Sequence, residues 1–409
     1  MKSPLKDVKL SDIQEAHAKI KEAIVETPLK RSNYFSELLS KNIFLKMENL
    51  QNTGAFKVRG ARNKLLSLSE EEKEKGVITA SAGNHAQGVA HQAKILGMLS
   101  MIVMPEASPM GKVIATKGYG AKVILKGENY DEAYEEALRI QKETGATFIH
   151  AYEDPYIIAG QGTIGLEILE KNKEVEVIVI PIGGGGLISG IAIAVKSLNP
   201  KIKIIGVQAD GAATMAESLK KGKTITLDSV RTMAEGISVK KASPYTFGFI
   251  QKYVDDVVTV SDEEITFSIL QLIEKAKTVV EGAGATTMAA LLSQKIKGKE
   301  KNVVCLLSGG NIDVTTLSHI IERGLVQEGR MVRMNVTLDD KPGALHDLTK
   351  IIAELKANIM QVSHDRMLLN LPFGKTRVLL TLETRGPEHI EEILHKLSSS
   401  GYSVRHHDT

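Results

Sequence analysis

The sequence contains one cysteine and no tryptophan, and aromatic residues fill only 4% of its 409 positions. A single cysteine excludes an internal disulfide and a cysteine-rich zinc site. Cys305 stands in the apolar stretch CLLS, where it reads as a small buried residue of a strand. Neither sign of charge is in excess. The 52 Lys+Arg face 49 Asp+Glu, and a net charge of +3 removes the electrostatic case for nucleic acid as a partner. Long hydrophobic runs are also missing. MKSPLKDVKLSD has no apolar centre of the kind a secretory leader needs, so the expectation is a cytoplasmic protein. Val177–Val195 carries no charge, but Pro181 and the glycines from Gly183 to Gly186 interrupt it. It reads as a strand, a turn and a packed helix, with no membrane partner. Low complexity is absent too: 43% hydrophobic and 25% charged residues describe a globular chain, and the length suggests two or three domains.

From about residue 43 to residue 320, β-rich runs alternate with segments of helical period. The candidate strands are IFLKME, GVITAS, LSMIVM, AKVILK, ATFIH, VEVIVIPI, IKIIGVQ, DDVVTV and NVVCLLS. Segments such as Asn84–Leu96, Asp131–Lys142 and Ile188–Leu198 place apolar residues three and four apart. This alternation implies an α/β fold with parallel sheets covered on both faces, and ligand-binding loops at the carboxyl ends of the strands. The rhythm changes near residue 325. MVRMNVTL, a helix to Leu355, ANIMQVSHDRML, TRVLLTLET, a helix from Pro387 to Ser399 and YSVRH follow in the order β-α-β-β-α-β, which is ferredoxin-like. The domains expected are therefore a body over residues 1–325, with a small lobe of about 52–150 nested inside it, and an appendix over 330–409.

Four short motifs fall at strand ends. Gly183-Gly184-Gly185-Gly186 follows VIVIPI and precedes a helix, so its N–H groups can converge on a phosphate at a positive helix end; the alternative is a turn needed only for packing. It matches neither GxGxxG nor GxxxxGK[ST], which argues against a dinucleotide or a nucleoside triphosphate. Thr53-Gly54-Ala55-Phe56-Lys57-Val58-Arg59-Gly60-Ala61 brings a lysine to a helix start, where a solvated cation is the ordinary reading. Ser81-Ala82-Gly83-Asn84-His85 ends a strand and either presents N–H groups to a carboxylate or caps its helix through Ser81 or Asn84. Leu307-Ser308-Gly309-Gly310-Asn311 closes the last strand of the body.

Taken in this order, the motifs resemble the fold type II pyridoxal-phosphate enzymes (the tryptophan synthase β-like fold), in the branch of threonine dehydratases and serine racemases. The resemblance covers about residues 5 to 325. It implies a two-lobed body binding pyridoxal 5'-phosphate, with Lys57 as the catalytic lysine that joins the cofactor and Phe56 beside it. It implies a phosphate cradle of Gly183, Gly184, Gly185, Gly186 and Leu187. Asn84 would meet the cofactor's phenolic oxygen and Ser308 its pyridine nitrogen. Glu281 would lie near the cofactor, or alternatively cap the next helix. Ser81, Ala82, Gly83, Asn84 and His85 would hold the substrate, with His85 either lining the pocket or bracing the loop. Ala55 replaces a serine common in relatives, which leaves Lys57 and its frame intact.

Within that branch, His85 in place of threonine points away from cysteine and threonine synthases. Racemases carry a serine where Ala82 stands, and Ala82 has no group to exchange a proton on the second face. The positions of racemase-type metal ligands hold Gln208 and Thr214, so no metal is expected. His364, His406 and His407 read as surface residues. The appendix resembles an ACT domain, with Asp340, Pro342, Gly343, Ala344 and Leu345 in its effector loop and pairing between copies implied. The expectation is an L-threonine ammonia-lyase, a lyase (dehydratase) of amino-acid metabolism acting on L-serine as well, and an allosteric homodimer or homotetramer. Isoleucine biosynthesis supplies isoleucine as the candidate effector. The alternatives are a serine racemase, another hydroxyamino-acid lyase, or a catalytically dead amino-acid-binding regulator.

Overall fold

A computed structural model describes residues 6–366 and 371–406. The chain separates into two compact units, Met1–Asp313 and Val314–Thr409, with the helix Val314–Gln327 grouping in the second. The nine candidate strands of the body all form. β1 (Leu29–Arg31), β2 (Asn42–Met47), β7 (Val177–Pro181), β8 (Lys203–Ala209), β9 (Asp256–Val260) and β10 (Asn302–Leu307) build a six-stranded sheet in the order β1-β2-β10-β7-β8-β9. β3 (Val77–Ala80), β4 (Ser100–Met104), β5 (Lys122–Leu125) and β6 (Thr147–Phe148) build a second sheet in the order β5-β4-β3-β6. All pairings are parallel except that of β1 with β2. β1 was not anticipated, because three residues, LKR, present no alternation to read and lie at a sheet edge.

Central strands buried on both faces carry mainly apolar side chains, and β4 and β7 are buried from end to end, with Ser100 the one polar side chain among them. The uncharged run from Val177 resolves into β7, the glycine turn and the buried helix Gly186–Leu198. No helix among the described residues is long and apolar enough to cross a membrane. Cys305 is fully buried in β10, and burial pushes its thiol well above the ordinary range.

A charged cluster sits inside this first unit. Arg59 reaches both oxygens of Glu48, at 2.8 Å each, and those of Glu167 at 2.5 and 2.9 Å. Lys46 bonds Glu167 at 2.5 Å, and all four side chains are buried. Two cations and two anions compensate one another out of water, which a lone buried charge could not do. The cluster ties the helix Lys57–Leu66 to the end of β2 and to the helix Pro155–Lys171.

The second unit forms a four-stranded antiparallel sheet of β11 (Met331–Asp339), β12 (Asn358–Asp365), β13 (Lys375–Glu383) and β14 (Ser403–His406) in the order β12-β13-β11-β14. Val332, Met334, Val336 and Leu338 of β11 point inward and alternate with polar neighbours, the period expected of a sheet with one solvated face. They pack with Leu348 and Ile352 of the helix Ala344–Glu354 and with Ile393 and Leu397 of the helix Pro387–Ser399. The end of the expected strand ANIMQVSHDRML, and His407, lie outside the described residues. His364 and His406 are exposed.

Candidate active site

Lys57 opens the helix Lys57–Leu66 and follows Phe56 at its cap. The backbone just before it pairs with the end of β10: Phe56 N donates to Ser308 O at 3.1 Å, and Gly310 N donates to Gly54 O at 2.8 Å. One short antiparallel contact therefore sets the positions of both Lys57 and Ser308. The Lys57 Nζ donates to Ala151 O at 3.2 Å and reaches a cavity of about 740 Å³. The amine keeps access to the cavity, but protein surrounds it, and this desolvation lowers its pKa to about 8. Glu281 acts in the opposite sense.

The same cavity is lined by Phe56, Ser81, Ala82, Gly83, Asn84, His85, the glycines Gly183 to Gly186, Leu187, Glu281 and Ser308. Residues from four separate motifs thus meet at one place, although Phe56 and Ser308 stand 252 positions apart. Asp340, Pro342, Gly343, Ala344 and Leu345, expected to form an effector loop, belong to the other unit.

The loop after β3 does not cap its helix through Ser81 or Asn84. Gly83 takes the cap position, Gly83 N donates to Ser81 Oγ at 3.2 Å, and Asn84 is the first helical residue. Freed from capping, Asn84 donates from Nδ2 to Glu281 Oε1 at 2.7 Å. Glu281 in turn precedes the helix Gly282–Leu292 without a side-chain cap bond. Burial raises its pKa to about 7, against the opposing effects of the Asn84 hydrogen bond and of Lys112. His85 both lines the cavity and braces the loop, with Nε2 3.0 Å from Ile149 O. Burial first, and Lys57 second, lower its pKa to about 3. The neutral ring then carries its proton on Nε2, since a carbonyl can only accept.

The glycine loop is built for close approach. A Cβ at Gly184 would sit 2.2 Å from the ring of Tyr152, and one at Gly186 2.9 Å from its Cβ. Thr246 Oγ1 donates to Gly184 O at 2.8 Å and occupies that carbonyl. Gly186, Leu187 and Ile188 form the first turn of the helix Gly186–Leu198, whose N–H groups have no intrahelical acceptor. The packing alternative and the anion alternative therefore coexist, for the bare backbone that Tyr152 demands also leaves unpaired donors at a helix N-terminus. This anion cradle, a lysine whose pKa burial lowers to about 8 and a hydroxyl at Ser308 fit a pyridoxal phosphate.

Several residues of the site carried no role in the sequence reading. Tyr152 lies in the loop after β6, and burial pushes its phenol up to about 12. Lys112 and Glu235 also line the cavity and form an ion pair. Asn311 sits inside a strand-end motif, and that placement was the only signal for it. Gln208 and Thr214 satisfy backbone groups: Gln208 Nε2 donates to Ile182 O and Ala212 O, and Thr214 donates to Val239 O.

The family model described as pyridoxal-phosphate dependent enzyme matches residues 20–309, and that of the ACT domain matches residues 327–401. The chain is 50% identical over 398 residues to an L-threonine ammonia-lyase of Thermotoga maritima, covering 97% of this chain and 99% of that one. Among solved structures it is 37% identical to the processed threonine deaminase isoform 2 of Solanum lycopersicum, with a TM-score of 0.73 over 78% of this chain and 90% of that one. It is also 37% identical to maize serine racemase, with a TM-score of 0.74 over 79% and 99%. The chain belongs to the pyridoxal-phosphate-dependent enzymes of fold type II, and its C-terminal part is an ACT domain.

Proposed function

We propose that this enzyme is an L-threonine ammonia-lyase that also accepts L-serine. Pyridoxal phosphate, when bound, supplies an electron-withdrawing ring that acidifies the α-hydrogen of an amino acid. Lys57 accepts that proton on Nζ, a task suited to an amine whose pKa burial has lowered to about 8. The N–H groups of Ala82, Asn84 and His85, in the loop from Ser81 to His85, hold the substrate carboxylate at the start of the helix Asn84–Ile95, while those of Ser81 and Gly83 are taken by Val103 O and Ser81 Oγ. The donors of Gly183 to Leu187 hold the cofactor phosphate, Asn84 its phenolic oxygen, and Ser308 its ring nitrogen. Loss of the β-hydroxyl as water releases an enamine. Hydrolysis returns that water, so the net products are 2-oxobutanoate and ammonia.

The observation that carries elimination over racemisation is Ala82. It lines the cavity with no titratable group, and its neighbour His85, with a pKa of about 3, holds no exchangeable positive charge at neutral pH. The relative from Thermotoga maritima supports the same reading, while the likeness to maize serine racemase keeps racemisation as the rival. Following pyruvate and D-serine together during turnover of L-serine separates the two. Pyruvate should dominate, and a majority of D-serine would overturn the use made of Ala82.

The ACT domain is read as an amino-acid sensor, with isoleucine as effector. Gly343, with φ at +87°, turns the chain into the helix Ala344–Glu354; Ala344 N already donates to Lys341 O at 3.3 Å, and the N–H of Leu345 suits a carboxylate. Asp340 suits the ammonium, in exchange for its ion pair with Arg366 at 3.3 Å. β12 is an edge strand with Met360 58% and Val362 40% exposed, which supports a homo-oligomer covering it. Calorimetric titration with isoleucine, and sedimentation of the full chain, test these two assignments. We place the enzyme in the cytoplasm.

A further inference from the structure

Asn311 is bound on two sides by groups that decide its orientation. Its Nδ2 donates to Thr53 O at 2.7 Å and to Asn84 Oδ1 at 2.8 Å. A peptide carbonyl is acceptor only, so the nitrogen of the Asn311 amide must face Thr53. The second hydrogen of that nitrogen then meets Asn84, which must turn its oxygen toward Asn311. The Asn84 nitrogen is thereby sent the other way, to Glu281 at 2.7 Å. Asn311 is thus the donor to both Thr53 and Asn84, Asn84 is the donor to Glu281, and one hydrogen of Asn84 Nδ2 is left over for the cavity that Asn84 lines.

Gly54 makes the contact possible. A Cβ there would lie 2.4 Å from Asn311 Oδ1, and the residue has φ at +71°. The glycine before Lys57 is thus an opening through which Asn311 passes to reach Asn84, and the same backbone contact that sets Lys57 and Ser308 holds Gly310 against Gly54.

We infer that Asn311 is a positioning residue that fixes the amide of Asn84 with a donor, never an acceptor, toward the cofactor's phenolic oxygen. The inference rests on the assignment of Asn84 to that oxygen. Without Asn311 only Glu281 still holds the Asn84 amide, and a buried carboxyl with a pKa raised to about 7 can donate as well as accept, so the amide can rotate by half a turn and present its carbonyl to an oxygen that is itself an acceptor when ionised, which is repulsive.

The test uses the holoenzyme. Asn311→Asp keeps the shape but offers carboxylate oxygens to two acceptors, Thr53 O and Asn84 Oδ1. The absorption maximum of the bound cofactor should move, and kcat should fall about tenfold to a hundredfold with KM changed less than about threefold. In an Asn84→Ala background the same substitution should cost less than about twofold, because the residue acts only through Asn84. A wild-type absorption maximum and rate in Asn311→Asp, or losses that multiply in the double variant, would overturn the inference. If the aspartate variant does not fold, Asn311→Ser serves in its place, since it removes a donor without adding charge, and the same two outcomes decide. The underlying assignment has its own readout. If Asn84→Ala alone leaves the absorption maximum and kcat unchanged, the contact between Asn84 and the cofactor fails, whatever Asn311 does.

Discussion

In the apoprotein, Lys57 should behave as a free base at pH values where other lysines are ammonium ions. With a pKa of about 8, roughly 9% of the amine is neutral at pH 7, against about 0.03% at the ordinary value of 10.5. That is a difference of about 300-fold in reactive species, and it arises from desolvation of the ammonium in the cavity. Competitive acetylation of the apoprotein, read by peptide mass spectrometry with exposed lysines as internal reference, measures it. The reaction at Lys57 should climb about tenfold per pH unit below pH 7 and level off above about pH 9. Growth of the cofactor's visible band after mixing should follow the same curve. Because Glu281 opposes the shift, Glu281→Gln should move the plateau to lower pH. A reaction that keeps rising tenfold per unit up to pH 10 would refute the reasoning, for it would mean that Lys57 is solvated like any surface lysine.

Other consequences are as specific. Glu167→Gln leaves Arg59 and Lys46 sharing the single carboxylate of Glu48 and should cost about 3–5 kcal/mol in a denaturant titration of the apoprotein. Gly184→Ala drives a methyl group to 2.2 Å from Tyr152 and should weaken cofactor binding at least about tenfold, read by equilibrium absorbance, because the loop must open to admit it. Cys305, fully buried in β10, should resist an aromatic disulfide reagent until the first unit unfolds, so that labelling and loss of circular dichroism share one midpoint. Gly343→Ala forces a side chain into a conformation with φ at +87°, which should cost about 1 kcal/mol and lower effector affinity by calorimetry. Basal turnover should be unchanged.

Much of this was legible in the chain, and the exceptions have physical causes. Parallel strands buried on both faces announce themselves as β-branched runs, which is why VIVIPI and NVVCLLS were found within a residue or two of their ends. In the ACT domain the alternation of Val332, Met334, Val336 and Leu338 declared a one-sided sheet. β1 was missed because a three-residue edge strand has no period. The site motifs could be located because each interrupts an apolar strand with glycine and polar residues. What the motifs could not reveal was which polar atoms face each other. The bond from Asn84 to Glu281 joins residues 197 positions apart, and the cap that would have occupied Asn84 is taken by Gly83 instead. Nothing local in the sequence shows that Glu48 and Glu167 converge on Arg59 and Lys46 in the core.

The central claim is that this chain converts L-threonine to 2-oxobutanoate and ammonia by means of Lys57. The most direct measurement gives the purified, cofactor-loaded enzyme L-threonine and quantifies 2-oxobutanoate and ammonia beside a Lys57→Ala variant. The account predicts the two products in equal amounts from the wild type and neither from the variant. Threonine left unconsumed by a wild type that shows the cofactor's visible band, or keto acid released at an equal rate by Lys57→Ala, would contradict it.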